Sequence, residues 1–219
     1  MAGAVVVGAG PGLGIAVARR FARAEVPVAL IARSARVVEL AGSLEREGLK
    51  ALPLRADSTD VSSLRAALDA AVAAHGVPEV LVYNAAIIQQ DRPGELDAER
   101  HQQAWSVNVL GALQSAAHIA PAMARRGHGT ILLTGGMPRP DARYASLSLG
   151  KAGIRALTHL LDEEYGPAGV HVATVTVDCH MVAGTDSDPD LVAEHYWTLH
   201  RQARGAWQRE IVHVGSTPV

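Results

Sequence analysis

The chain has 219 residues, with 20 basic and 22 acidic side chains and a net charge of −2. That length buries one α/β core and is short for two, and the near balance of charge, with no run of either sign, excludes the footprint of a nucleic-acid or membrane-surface binder. One Phe and three Trp offer no stacking surface for bases, while the lone Cys179 rules out an internal disulfide and fits a reducing cytoplasm.

The opening MAGAVVVGAG has no basic n-region, and its apolar run is shorter than a signal-peptide core or a membrane span, so Ala4 to Val7 reads as a first strand. Glycines at 8, 10, 12 and 14 follow, then a helix from Leu13 to Ala24. A strand from Val28 to Ala32 precedes a helix from Val37 to Glu47, stopped by Gly48. After a strand from Ala51 to Arg55, Val61, Leu64, Leu68 and Val72 recur at helical spacing and predict one sheet-facing stripe. Beyond a strand from Val80 to Tyr83, one long helix is expected from Ala98 to Arg126, with Asp97 as its N-cap, Gly127 after its end, and Pro121 as a kink or division. A strand from Thr130 to Thr134, a helix from Tyr144 to Tyr165 and a strand from Val170 to Val177 come next. Asp188-Pro189 then opens a helix carrying His195, Tyr196, Trp197 and His200, and a last strand falls near Glu210 to His213.

Short β-branched runs alternating with helices predict a Rossmann-type α/β fold. The expectation is a doubly wound parallel sheet of about seven strands in three αβα layers, as a single domain over 1–219 in which 178–208 covers substrate. The glycine loop between a strand and a helix suits a dinucleotide, because glycine lets the backbone approach a pyrophosphate at a helix N-terminus. At the end of the second strand, Arg33 and Ser34 stand where an acid would bind a ribose 2′-hydroxyl, so NADP(H) is favoured over NAD(H).

The spacing Gly8-x-x-x-Gly12-x-Gly14, the "YNAA" after the fourth strand, Asn108 in "WSVNVLGAL" and Lys151 in "GKAGIRALT" together resemble the short-chain dehydrogenase/reductases from residue 4 to about 185. The resemblance implies cofactor contacts from Gly8, Gly10, Gly12, Leu13, Gly14, Arg33, Ser34, Asp57, Ser58, Asn84, Ala85, Ala86 and Lys151. It also implies a helix Asn108 that helps hold a proton-relay water, and a homodimer or homotetramer built through the two long helices.

The same resemblance exposes a departure. Its pattern has a serine ending the fifth strand and a tyrosine four residues before the lysine. Here those places hold Gly135 or Gly136 and Leu147. A carbonyl that accepts hydride leaves an alkoxide, so a replacement acid is needed. The candidates are Tyr144, seven residues before Lys151 and on the same helical face, with Ser148 as a relay, and His180 after the sixth strand. Thr134 stands near the lost serine, and Tyr196, Trp197 and His200 are candidate pocket residues. The ten histidines show no metal spacing, so no metal is expected. The sequence therefore points to a cytoplasmic NADP(H)-dependent oxidoreductase of a small organic carbonyl, imine or activated alkene. A cofactor-binding sensor without turnover, or a non-redox enzyme on the same scaffold, stays open on the sequence alone.

Overall fold

A computed structural model describes residues 2–216. Seven strands, β1 (Ala4–Val7), β2 (Val28–Ala32), β3 (Ala51–Arg55), β4 (Val80–Tyr83), β5 (Gly129–Gly136), β6 (Val170–Asp178) and β7 (Glu210–Val214), pair in parallel as one sheet ordered β3-β2-β1-β4-β5-β6-β7. Strands buried on both faces need apolar side chains at every position, and β1, β2 and β4 are near-continuous Val, Leu, Ile and Ala. On one face Leu30, Val82, Leu132 and Val175 pack with α1 (Leu13–Arg23), α2 (Arg36–Arg46) and α7 (Pro189–His200). On the other, Ile31, Leu81, Leu133 and Val172 pack with α3 (Val61–His75), α5 (Gly111–Arg126) and α6 (Ala145–Tyr165).

Three local expectations change. The predicted 98–126 helix is α4 (Ala98–Trp105), a π-helical turn over Ser106–Leu110, and then α5. The irregularity sits at Asn108, and Pro121 lies within the uninterrupted α5. On α3 the buried stripe is Leu64, Ala67, Leu68 and Ala71, while Val61 is exposed. Strand β5 runs two residues further than expected, because Gly135 and Gly136 continue the ladder opposite Thr176 and Val177.

The termini of the helices follow their chemistry. Asp97 accepts from the Arg100 N–H at 2.8 Å and Asp188 from the Asp190 N–H at 2.8 Å, while Gly127 closes α5 with φ 82°, a left-handed value that favours glycine. Among the described residues no helix is long and apolar enough to cross a membrane. Connections from β1 and β4 diverge to opposite halves of the sheet, and the crevice this opens at their C-terminal ends is where such folds take ligands.

Candidate functional site: a glycine-lined cleft that ends at a buried lysine

A cavity of about 540 Å³ occupies that crevice. Every one of the cofactor candidates lines it: Gly8, Gly10, Gly12, Leu13, Gly14, Arg33, Ser34, Asp57, Ser58, Asn84, Ala85, Ala86 and Lys151. The four glycines divide into two jobs. A Cβ on Gly8 would overlap the Ala85 backbone N, and one on Gly14 would lie 2.6 Å from the Gly8 carbonyl, so these two permit close packing of β1, β4 and α1. Gly10 and Gly12 face open space, with nothing within 4 Å of where a methyl group would stand. Helix α1 has Gly12 as its N-cap, with no side-chain cap and no acid in its first turn; the Ile15 N–H is taken by the Gly10 carbonyl at 3.0 Å, which leaves the Leu13 and Gly14 N–H groups and the positive dipole end for an anion. This cradle fits a dinucleotide pyrophosphate.

At the β2 end Arg33 is exposed on the cavity rim, and its carbonyl accepts from Arg55 Nε at 3.1 Å, which ties the end of β2 to the end of β3. Asp57 folds on itself, its Oδ1 accepting from the Thr59 N–H at 2.9 Å and hydroxyl at 2.8 Å. Tyr83 backs this region without lining it. Its hydroxyl donates to the Val107 carbonyl at 2.6 Å, and burial pushes its pKa up to about 12.

At the opposite end Lys151 is buried and donates to the Thr134 carbonyl at 2.7 Å. Burial first, and the Arg155 charge second, bring its ammonium down to about 8. Arg155 itself donates to the carbonyls of Gly136 (3.0 Å) and Met137 (3.3 Å), holding the turn after β5 where Met137 has φ 47°. The two glycines are not equivalent. A Cβ on Gly135 would overlap Thr176 Oγ1 and sit 2.5 Å from Thr174 Cγ2, whereas one on Gly136 would meet nothing closer than Lys151 Cε at 3.5 Å. Gly136 is therefore the place on this wall that could carry a side chain toward Lys151, and it carries none.

Tyr144 lines the cavity at the start of α6, packed with Met137 and Leu147, and its hydroxyl oxygen accepts from Gln90 Nε2 at 3.2 Å. Its backbone is pinned by the neighbouring Asp91, which donates from N–H to the Arg143 carbonyl and accepts from the Ala145 N–H, both at 2.9 Å. Ser148 does not reach the cavity. Its hydroxyl is tied to the Asp141 backbone, accepting at 3.1 Å and donating at 3.2 Å, so the expected relay through it falls away. Asn108 also lies outside the cavity lining: its Oδ1 accepts from the Ile87 N–H at 2.7 Å, and Gly150 lets α6 come against it. It positions the loop after β4, whose Ile87 lines the cavity.

His180, Cys179 and Met181 line the cavity from the segment after β6. The rest of 178–208 does not cover it. Tyr196 is fully buried, Trp197 packs edge-on to Phe21 beneath Arg20, and His200 bonds Thr130 Oγ1 at 3.1 Å, so α7 packs on α1. Thr134 does line the cavity, but its hydroxyl is engaged by Asn84 Oδ1 at 3.0 Å.

A family profile described as short chain dehydrogenase matches residues 2–193. The chain belongs to the short-chain dehydrogenase family. Members of this family are NAD(P)-dependent oxidoreductases. This short-chain dehydrogenase is 32% identical over 191 residues to the cis-4-hydroxycyclohexanecarboxylate dehydrogenase of Sinomonas cyclohexanicum, the match covering 84% of this chain and 77% of that one. Among solved structures, a short-chain dehydrogenase from Rhodopseudomonas palustris superposes with a TM-score of 0.87 at 26% identity, covering 96% of this chain and 97% of that one. A metagenomic short-chain oxidoreductase in complex with NADP superposes with a TM-score of 0.86 at 25% identity, covering 99% and 97%.

Sequence reasoning missed Gln90, Asp91, Arg155 and the apolar rim of Ile87 and Ile88. A signal existed only for Arg155, which lies one helical turn after Lys151 and so on the same face. Asp91 and Gln90 sit in an irregular stretch with no periodicity to place them.

Proposed function

We propose that this short-chain dehydrogenase uses NADP(H) to reduce the activated carbon–carbon double bond of a small apolar substrate, with Tyr144 supplying the proton. The observation that carries this is the placement of Tyr144 on the cavity wall one turn before Leu147, beside an end of the cleft walled by Ile87, Ile88, Met137, Leu147 and Met181. A simple carbonyl needs a donor at the oxygen attached to the carbon that takes the hydride. The side chains at that place are Leu147 and the bare Gly136. In a conjugated enone the negative charge moves to an oxygen two bonds further on. Tyr144 precedes Leu147 by three residues and lines the same cavity just before α6, so in this scheme it serves the displaced oxygen.

The bound nicotinamide supplies the hydride. The chain's own residues do the rest. Gly10, Gly12 and the start of α1 bind the pyrophosphate, and Lys151, fixed on the Thr134 carbonyl, holds the nicotinamide ribose. Gln90 donates to the phenol oxygen of Tyr144, which leaves the phenolic proton for the substrate oxygen and supports the charge left behind. Arg33 on the cavity rim supports NADP(H) over NAD(H), because it offers a 2′-phosphate a guanidinium where an acid would be needed for a free 2′-hydroxyl. His180 is a wall residue in this scheme. We also propose self-association through the exposed apolar residues Trp105, Leu113, Leu149 and Leu160 of α4, α5 and α6.

The test is a parallel fluorescence titration with NADPH and NADH, followed by turnover of a cyclic enone and its saturated ketone, with product identity read by NMR. Tighter NADPH binding and saturation of the double bond alone support the proposal. Binding without turnover of either points to a sensor, and binding of neither nucleotide to a non-redox protein. Size-exclusion chromatography with light scattering of wild type and Leu149→Glu checks the assembly.

A further inference from the structure

Tyr196 is a fully buried tyrosine on α7, bonded to Thr134 at a distance of 62 residues along the chain. Its hydroxyl lies 2.6 Å from Thr134 Oγ1, Thr134 Oγ1 lies 3.0 Å from Asn84 Oδ1, and Asn84 Nδ2 lies 2.9 Å from the Gly8 carbonyl. The direction of the whole chain of bonds follows from its end. The Gly8 carbonyl only accepts, so the Asn84 amide nitrogen faces it and the amide oxygen faces Thr134. Thr134 has one proton and gives it to that oxygen, so Tyr196 donates to Thr134.

Both ends of this line matter to the cleft. Gly8 opens the pyrophosphate loop, and Asn84 lines the cavity beside it. The backbone carbonyl of the same Thr134 is the acceptor that fixes Lys151. Phenol hydroxyls are rarely buried without need, and a hydrophobic side chain would pack α7 on α1 equally well.

We infer that Tyr196 is a positioning residue for the cofactor, its hydroxyl orienting Thr134 and Asn84 so that the Gly8 loop and Lys151 are held in register for the nicotinamide nucleotide. The inference rests on the proposed use of NADP(H). It makes α7 a strut beneath the cofactor cleft and assigns it no contact with substrate.

The experiment measures NADPH dissociation constants by fluorescence and unfolding temperatures for four variants. Tyr196→Phe keeps the ring in the core and removes only the terminal donor, and is expected to weaken NADPH binding about three- to tenfold, the range one hydrogen bond spans. Thr134→Val should match it, and the double variant should be no weaker than the weaker single, since one line of bonds breaks once. Leu199→Ala, buried on the same helix without a polar role, should lower the unfolding temperature and leave NADPH affinity at about 20 °C unchanged. Wild-type affinity in Tyr196→Phe would overturn the inference, as would an equal loss in Leu199→Ala, which would reduce the effect to helix packing. A wild-type protein that binds no nicotinamide nucleotide would overturn the functional reading itself, and is told apart because the loss precedes any substitution.

Discussion

Asp91 and Ser146 lie 55 positions apart and close the entrance of α6: the buried carboxylate accepts from the Ser146 N–H at 2.9 Å and from its hydroxyl at 2.8 Å. The helix thus takes its N-terminal cap from a loop after β4, and the same residue's backbone pairs across Tyr144. Asp91→Ala leaves those donors buried without an acceptor and removes a favourable charge at a helix start. The expected loss is about 2 kcal/mol, or about 4–8 °C in unfolding temperature for a chain of this size. Thermal denaturation followed by circular dichroism checks it, and turnover should fall with it because Tyr144 is no longer held.

Tyr144→Phe keeps the packing with Met137 and Leu147 and removes only the hydroxyl. Enone reduction should fall about 100-fold or more, with NADPH affinity unchanged, because a positioned acid contributes on that order. His180→Ala should change KM more than kcat. Steady-state kinetics on both variants decide which residue is the donor, and the reverse pattern would give that role to His180.

The two glycines that end β5 should respond differently to a methyl group or hydroxymethyl group. Gly135→Ala forces a Cβ into Thr174 and Thr176 and should cost about 1–3 kcal/mol, whereas Gly136→Ser has room and should leave stability near wild type. Combined with Leu147→Tyr, Gly136→Ser puts a hydroxyl and a phenol on the wall beside Lys151. The double variant should gain reduction of simple ketones, measured by NADPH consumption. Urea unfolding of the single variants reads the stability difference.

Lys151 predicts an alkaline gain in stability. Its ammonium titrates at about 8 in the folded protein against 10.5 when free, chiefly because it is buried. Below pH 8 both states carry the proton and the folded state bears the full cost of a buried cation. Between pH 8 and 10.5 the unfolded chain binds more protons, so stability rises with pH, and above 10.5 the cost is absent. The rise is about 3 kcal/mol for a shift of this size. Lys151→Met should flatten it, as read by urea unfolding at about pH 7.5 and about pH 10.

The sequence by itself determined the order of strands and helices, the parallel sheet and the cofactor cleft. Those features follow from local periodicity and from glycines and caps at fixed offsets, which neighbouring residues settle among themselves. It also put Leu147 four residues before Lys151 and glycines at the end of β5, since each is read from its place along one helix or strand. Only the tertiary structure decided that Gly136 faces Lys151 while Gly135 faces Thr174 and Thr176, because the direction of a side chain on a strand depends on the partner strand's register. Only the packing of α7 on α1 turned Tyr196 from a candidate pocket residue into the buried donor behind Thr134. Asp91 capping α6 and Gln90 meeting Tyr144 join segments 55 and 54 residues apart. Such contacts depend on loop closure and on packing of the whole chain, and no local pattern records them.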